Sequence, residues 1–345
     1  MLTNSENTSN KSLLTQASQT SQKPVVDLQL AFGGFSTKGL KAENQDAFAA
    51  IVPEKLDLRA KGAVVAIADG VSSASKAAEA SQLSVTQFIQ EYFATPETWS
   101  TQKSAAKVLT SLNQWLFSQG GLVDDLQYDN SPQWLTTFTA LIAKSTTGYV
   151  FHVGDTRLSK YRGQELEVVT RDHNRKSGGK QVLLTRALGA DPRLKVDVHE
   201  IDLQPNDIYI LTCDGVHDFL SPKELKKHLA GLSACPDSQE LEATSKAIVE
   251  HALLKGSDDN VSCLLTFIEA TPNRKLDEIQ RDLLAKAIPP ALKVGNKLDG
   301  YLVKKVIHAS IRSHLYLVVD ETTQAPFVLK APSANFSDDA IYLQG

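Results

Sequence analysis

The sequence predicts an α+β fold, on two patterns. Short apolar runs of strand length recur along the chain, and between them lie stretches whose apolar residues fall at helical spacing. A third observation locates the chemistry. Five aspartates each stand at the edge of an apolar run: Asp46 in ENQDAF, Asp69 in VVAIADGV, Asp155 in VFHVGDTR, Asp214 in YILTCDGV and Asp259 in GSDDNVS. Strands that end in carboxylates and lie side by side bring those charges together at the rim of the core. Bare, such a cluster repels itself. Hard divalent cations with all-oxygen coordination, Mg2+ or Mn2+, relieve it, and a pair of them is a recurring device for displacement at phosphorus.

Residues 1–25 are rich in Ser, Thr, Asn and Gln, cannot bury enough apolar surface to offset ordering, and are expected to form a disordered tail. A folded domain is expected over 26–270. Its strand candidates are Ala63 to Ala68, Thr139 to Ala143, Tyr149 to Val153, Ile208 to Leu211 and Val261 to Ile268, all rich in Val, Ile or aromatic residues. Val85, Phe88, Ile89 and Tyr92 fall at i, i+3, i+4, i+7, as do Ala105, Val108, Leu109 and Leu112, which gives two helices with one apolar face each. After Glu269 the charged segment RKLDEIQRDLLAKAI runs into Pro289 and Pro290, which marks residues 271–295 as a linker.

Composition narrows the class further. The chain has 345 residues and 42% hydrophobic content, enough for a sizeable core, and its net charge of −4 argues against nucleic acid as the main partner. Cys213, Cys235 and Cys263 lack metal-ligand spacing and read as thiols in a reducing compartment. No run approaches the roughly 20 apolar residues of a membrane helix, and the N-terminus has no signal-peptide core, so a cytoplasmic location is expected.

The order NQDAF, ADG, TTFTA, VGDTR, RDH, LTRALG, LTCDGVHD and SDDNVS over roughly residues 30 to 268 resembles the metal-dependent PPM, or type 2C, serine/threonine protein phosphatases. The resemblance implies a four-layer α-β-β-α sandwich of two mainly antiparallel sheets flanked by helices, with two Mn2+ or Mg2+ ions at one end. A hydroxide held between the metals attacks the phosphorus of a phosphoserine or phosphothreonine in a protein substrate. By the same resemblance, Asp69 bridges both metals, Asp214 and Asp259 serve one, and Asp46 with the Gly70 carbonyl serves the other. Asp155 with Asp214 matches the residues that hold a weaker third metal in many relatives. Asp69, Asp214 and Lys41 would carry catalysis, Lys41 by gripping the phosphate.

Bland readings stand beside these. Asp46 fits a helix cap or turn, Asp155 could pair with Arg157, and Asp258 reads as solvated. Asn260 reads as ordering its turn, His173 as structural, and His217 as a packing residue. Three positions depart from the family pattern. Lys41 replaces an arginine and gives up its planar fork, so phosphate affinity should be weaker. Val71 replaces a histidine thought to protonate the leaving group in animal members. The run HNRKSGGKQVLL is shorter than the flap of relatives, which implies an open cleft and weakens the case for a third metal.

From Asn296 the chain resembles the first strands of a protein kinase small lobe, with FVLK placing Lys330 where that family keeps its phosphate-pairing lysine. The loop HASIRSH lacks the expected glycines, and no helix glutamate, catalytic loop or D-F-G follows Lys330. Residues 296–345 therefore read as an incomplete small lobe from a bifunctional phosphatase/kinase polypeptide whose kinase C-terminal portion is missing, or else as an incidental β-meander. Two further classes stay open for the whole: a pseudophosphatase that binds phosphoproteins without turnover, and a kinase-dependent signalling adaptor.

Overall fold

The computed structural model describes residues 27–120, 133–177, 181–272, 290–310 and 313–332. The predicted tail over 1–25 and most of the predicted linker, with its charged segment, lie outside the described residues.

Strand β1 (Gln29–Thr37) precedes β2 (Asp46–Ile51), a short helix α1 (Lys55–Ala60) and β3 (Ala63–Asp69). Helices α2 (Ala77–Ala94) and α3 (Thr101–Gly120) follow, then β4 (Phe138–Lys144), β5 (Thr147–Val153), β6 (Arg157–Arg162) and β7 (Glu165–Val168). A hairpin of β8 (Asn174–Ser177) and β9 (Gln181–Leu184) leads to β10 (Asp197–Asp202) and β11 (Ile208–Thr212). Helices α4 (Asp214–His217), α5 (Pro222–Leu229) and α6 (Ser238–Leu254) come before β12 (Val261–Ala270). One antiparallel sheet has the order β1-β12-β11-β6-β7 and the other β10-β5-β4-β3-β2.

The alternation along β3 explains its unbroken apolar run. Val64, Ala66 and Ala68 face Val85, Phe88 and Leu109 of α2 and α3, while Val65 and Ile67 face Leu211, Leu264 and Ile268 of the opposite sheet. Both faces are dry, so no polar residue is tolerated on either. The outer face of the first sheet is covered in turn by α5 and α6 through Leu225, Leu241, Ile248 and Val249. Helices, sheet, sheet and helices are thus the four layers, as the resemblance implied. The two predicted apolar helix faces, Val85 to Tyr92 and Ala105 to Leu112, are buried in the core.

Further along the chain, β13 (Lys297–Leu298), β14 (Tyr301–Ala309), β15 (Ser313–Asp320) and β16 (Pro326–Pro332) form a separate antiparallel sheet in sequential order. Its core is small, built on Val303, Tyr316, Val318 and Ala331.

Candidate metal centre

The antiparallel pairing of β2 with β3 sets Asp46 directly opposite Asp69, so both side chains leave the same face at one end of their sheet. Asp46 opens β2, which removes the cap and turn readings for it. Two threonines of the TTFTA motif fix the backbone of Asp69. The Asp69 N–H donates to Thr137 Oγ1 at 3.0 Å, and its carbonyl accepts from the Thr136 hydroxyl at 2.9 Å and the Thr137 N–H at 2.8 Å. Gly70 follows where the chain meets the start of α2; a Cβ there would lie 2.5 Å from the Ala77 carbonyl oxygen. That collision requires a glycine whether or not the Gly70 carbonyl meets a cation.

Asp214 and Asp259 come from the neighbouring strands of the other sheet, one just after β11 and one just before β12. Asp155 sits in the turn where the chain crosses from β5 to β6. Asp69, Asp155, Asp214 and Asp259, with Gly70, line a cleft of about 610 Å³. Asp46 lies against the same group and feels the charges of Asp214 and Asp259. All five aspartates therefore meet at one end of the sandwich.

Their acidities record the crowding. Burial first, then neighbouring carboxylates, pushes Asp155 up to about 7 and Asp214 up to about 6. Burial also raises Asp46 to about 7 against the opposing pull of the Ser262 hydrogen bond, and raises Asp69 well above the usual carboxylate range. Among the described residues no three His, Cys, Asp or Glu side chains already stand drawn together as a finished ligand cage. Asp69 and Asp214 stand within side-chain hydrogen-bond reach of each other. The donor set nonetheless fits a hard cation. Asp46 Oδ1 is buried with no hydrogen-bond partner, and the only further donor acting on the carboxyl besides Ser262, among the described residues, is the weak Cys213 thiol, an arrangement costly for an ionised carboxylate and one that a cation on that oxygen would relieve.

The other Asp46 oxygen is held by a relay. The Asn44 amide donates to Ser36 Oγ at 2.8 Å, Ser36 meets Ser262 Oγ at 2.6 Å, and Ser262 donates to Asp46 Oδ2 at 2.7 Å. Asn44 Oδ1 closes the loop by accepting the Asp46 N–H at 3.2 Å. The relay holds Oδ2 and leaves Oδ1 as the free oxygen of the carboxyl. Lys41 is not on the cleft wall; its ammonium rests on Asp259, 3.1 and 3.2 Å from the two carboxylate oxygens. Asn260 is buried, and its side chain bonds backbone groups of residues 38–45 rather than its own turn, which corrects the sequence reading.

Arg157 pairs with Asp172, at 2.9 and 2.6 Å, rather than with Asp155, so the ion-pair reading of Asp155 falls away. This joins the VGDTR and RDH motifs across the cleft wall. His173 accepts the Gly154 N–H at 3.1 Å and meets Asp197 at 3.0 Å, a structural role that sets the turn bearing Asp155. His217 lines the cleft and bonds Thr212 at 2.9 Å, and burial lowers its pKa to about 3, so it is neutral. Asp258 is exposed. The run read as a trimmed flap is the β8–β9 hairpin, and Asn174 and Leu184 at its base line the cleft. The base of the shortened segment walls one side of the cleft.

Sequence reading missed Ser36, Asn44 and Ser262, and it missed Asp172 as the partner of Arg157. The serines are small and lie far apart in sequence, with no local signal. The RDH motif did carry a signal, since its aspartate is a second carboxylate that the arginine of VGDTR can grip in a bidentate pair.

The family model for protein phosphatase 2C matches residues 34–251. A 2C-type phosphatase from Streptococcus pyogenes serotype M6 is 22% identical over 250 residues, covering 67% of this chain and 94% of that protein. The serine/threonine phosphatase Stp1 from Staphylococcus aureus superposes with a TM-score of 0.59 at 18% identity, over 72% of this chain and 99% of that one. The catalytic domain of the serine/threonine protein phosphatase PstP, solved in complex with 2 manganese ions, gives 0.56 at 24% identity, over 70% and 100% of the two chains. At these identities the structural likeness shows a shared fold.

Proposed function

Since this chain belongs to the protein phosphatase 2C family and is a metal-dependent protein phosphatase, we propose that its five clustered aspartates are the metal ligands and that Lys41 captures the substrate phosphate. The observation that carries the ligand assignment is the buried Asp46 Oδ1, without a hydrogen-bond partner in a carboxyl that feels the charges of Asp214 and Asp259. Asp69 with Asp214 and Asp259 would hold one ion, and Asp69 with Asp46 and the Gly70 carbonyl would hold the other. Asp155 stands ready, beside Asp214, for a weaker third. When bound, two Mn2+ or Mg2+ ions neutralise the phosphoryl oxygens and acidify a water enough to attack phosphorus at neutral pH. The manganese ions of the PstP complex support this choice of metal.

The remaining work falls to the chain. The serine relay holds Asp46 Oδ2, and Thr136 and Thr137 hold Asp69. Arg157 and Asp172 brace the wall opposite. Lys41, at the rim on Asp259, presents a single positive charge to the phosphoserine or phosphothreonine of a protein substrate. Val71 provides no proton for the departing alkoxide, and neutral His217 is too weak a base to be charged near pH 7. Hydrolysis of a phosphothreonine peptide with Mn2+, against a chelator control, tests the enzyme reading. A chain that binds the peptide without turnover would be a phosphoprotein-binding module instead, a reading that five intact aspartates disfavour.

For the C-terminal sheet we propose the opening of a protein kinase small lobe. The sequential antiparallel order of β13 to β16 and the place of Lys330 on β16 support it. Binding of a fluorescent ATP analogue to the whole chain, lost on Lys330→Ala, is the expected result; binding unaffected by that change would leave a plain β-meander. No helix among the described residues is long and apolar enough to cross a membrane.

A further inference from the structure

The loop of residues 38–45 between β1 and β2 carries Lys41, and a single side chain from the far end of the domain holds it at three points. Asn260 Oδ1 accepts the Gln45 N–H at 2.9 Å, and Asn260 Nδ2 donates to the Lys38 carbonyl at 3.0 Å and to the Glu43 carbonyl at 2.9 Å. Both amide hydrogens are used and the residue is only 3% exposed, so Asn260 has no donor left for substrate. Its own backbone is fixed as well, since a Cβ on Gly215 would lie 2.0 Å from the Asn260 carbonyl oxygen. The Lys38 anchor bears directly on Lys41, whose N–H donates back to the Lys38 carbonyl at 3.1 Å.

We propose that Asn260 is a positioning residue for phosphate capture. It fastens the 38–45 loop to the segment that carries Asp259, and so holds the Lys41 ammonium at the rim beside the metal ligands. The inference rests on the reading of Lys41 as the phosphate-binding group. It assigns Asn260 an effect on substrate affinity, transmitted through Lys41, and none of its own on the cations. A merely structural asparagine would act the same with or without Lys41.

The test compares Asn260→Ala, Lys41→Ala and the double variant in the full chain. Three quantities are read: KM for a phosphothreonine peptide, the inhibition constant of inorganic phosphate, and Mn2+ affinity by calorimetry without substrate. Asn260→Ala should raise KM and weaken phosphate inhibition about tenfold, with Mn2+ affinity within about threefold of native. In the Lys41→Ala background the same change should add less than about twofold, because the group it positions is gone. Equal effects of Asn260→Ala in both backgrounds would overturn the proposal, as would a loss of Mn2+ affinity at unchanged KM. If Lys41→Ala alone leaves KM and phosphate inhibition untouched, the reading of Lys41 itself fails, and the inference with it. Should Asn260→Ala not fold, Asn260→Ser keeps a small polar side chain in the same place and is measured by the same three readouts.

Discussion

Replacing Asp46 by Asn should stabilise the metal-free protein and destabilise the metal-loaded one. In the folded state burial raises the Asp46 carboxyl to about 7, from an ordinary value of 3.8 in the unfolded chain. The folded state therefore binds the proton more tightly, and stability falls as pH rises from about 4 through 7. Above that window the ionised Asp46 costs about 4 kcal/mol if it acts alone. An asparagine removes the charge but puts an unpartnered amide where Oδ1 was, at a cost of about 1–3 kcal/mol. The net gain at pH 8 in chelator is thus on the order of 2 kcal/mol, and at pH 5 it should vanish, because the native carboxyl is then protonated. With Mn2+ at a hundred times its dissociation constant, the native protein gains about 2.7 kcal/mol, and the variant, short of one ligand, gains less. The order of stability inverts once the variant gains less than about 0.7 kcal/mol from the same Mn2+. Urea denaturation of both proteins at pH 5 and pH 8, in chelator and in Mn2+, reads this directly. A variant less stable than native in chelator at pH 8 would refute the reasoning, as would a native metal-free protein more stable at pH 8 than at pH 5.

Three further outcomes are expected. Asp69→Asn or Asp214→Asn should abolish nearly all Mn2+-dependent turnover while the protein stays folded; more than a tenth of the native rate in either variant, at saturating Mn2+, would sink the two-metal assignment. Lys41→Arg should lower KM, since a bidentate fork grips two phosphoryl oxygens better than a point charge, whereas an unchanged KM would leave Lys41 as a partner of Asp259 only. A chain ended after Ala270 keeps every residue of both main sheets and should retain its kcat, and the full chain should show no phosphotransfer from Mg-ATP. A collapsed kcat in the shorter chain would mean that residues 271–345 complete the phosphatase fold.

What the sequence made legible follows from what each segment buries. The run in β3 and the faces of α2 and α3 stand out because core contact on one or both sides excludes polar residues. Strand β1 was not read because Gly33 and Gly34 interrupt its apolar pattern, although it pairs with β12 along its whole length. Strand β10, DVHEID, lies at a sheet edge and is too charged to be recognised by hydrophobicity. Helices α5 and α6 did carry readable starts, with Glu224 bonded back to Ser221 and the Glu240 N–H donated to Asp237. The aspartates were legible because a carboxylate at a strand end is conspicuous. Their partners were not. Ser36 and Ser262 meet only because β1 pairs with β12, a contact between opposite ends of the domain that no local pattern announces.

That same pairing of β1 with β12 governs when the enzyme can first act during its own synthesis. Asp46 leaves the ribosome early, but Asp259, Asn260 and Ser262 emerge only as β12 does, on the order of tens of seconds later. Until then the first sheet lacks the strand that joins β1 to β11, the Asp46 carboxylate has no Ser262 to orient it, and the Lys41 loop lacks its Asn260 anchor. With Asp259 as a proposed metal ligand, a nascent chain, or one clipped before residue 259, is expected to show no turnover, so activity would begin only once β12 has been made.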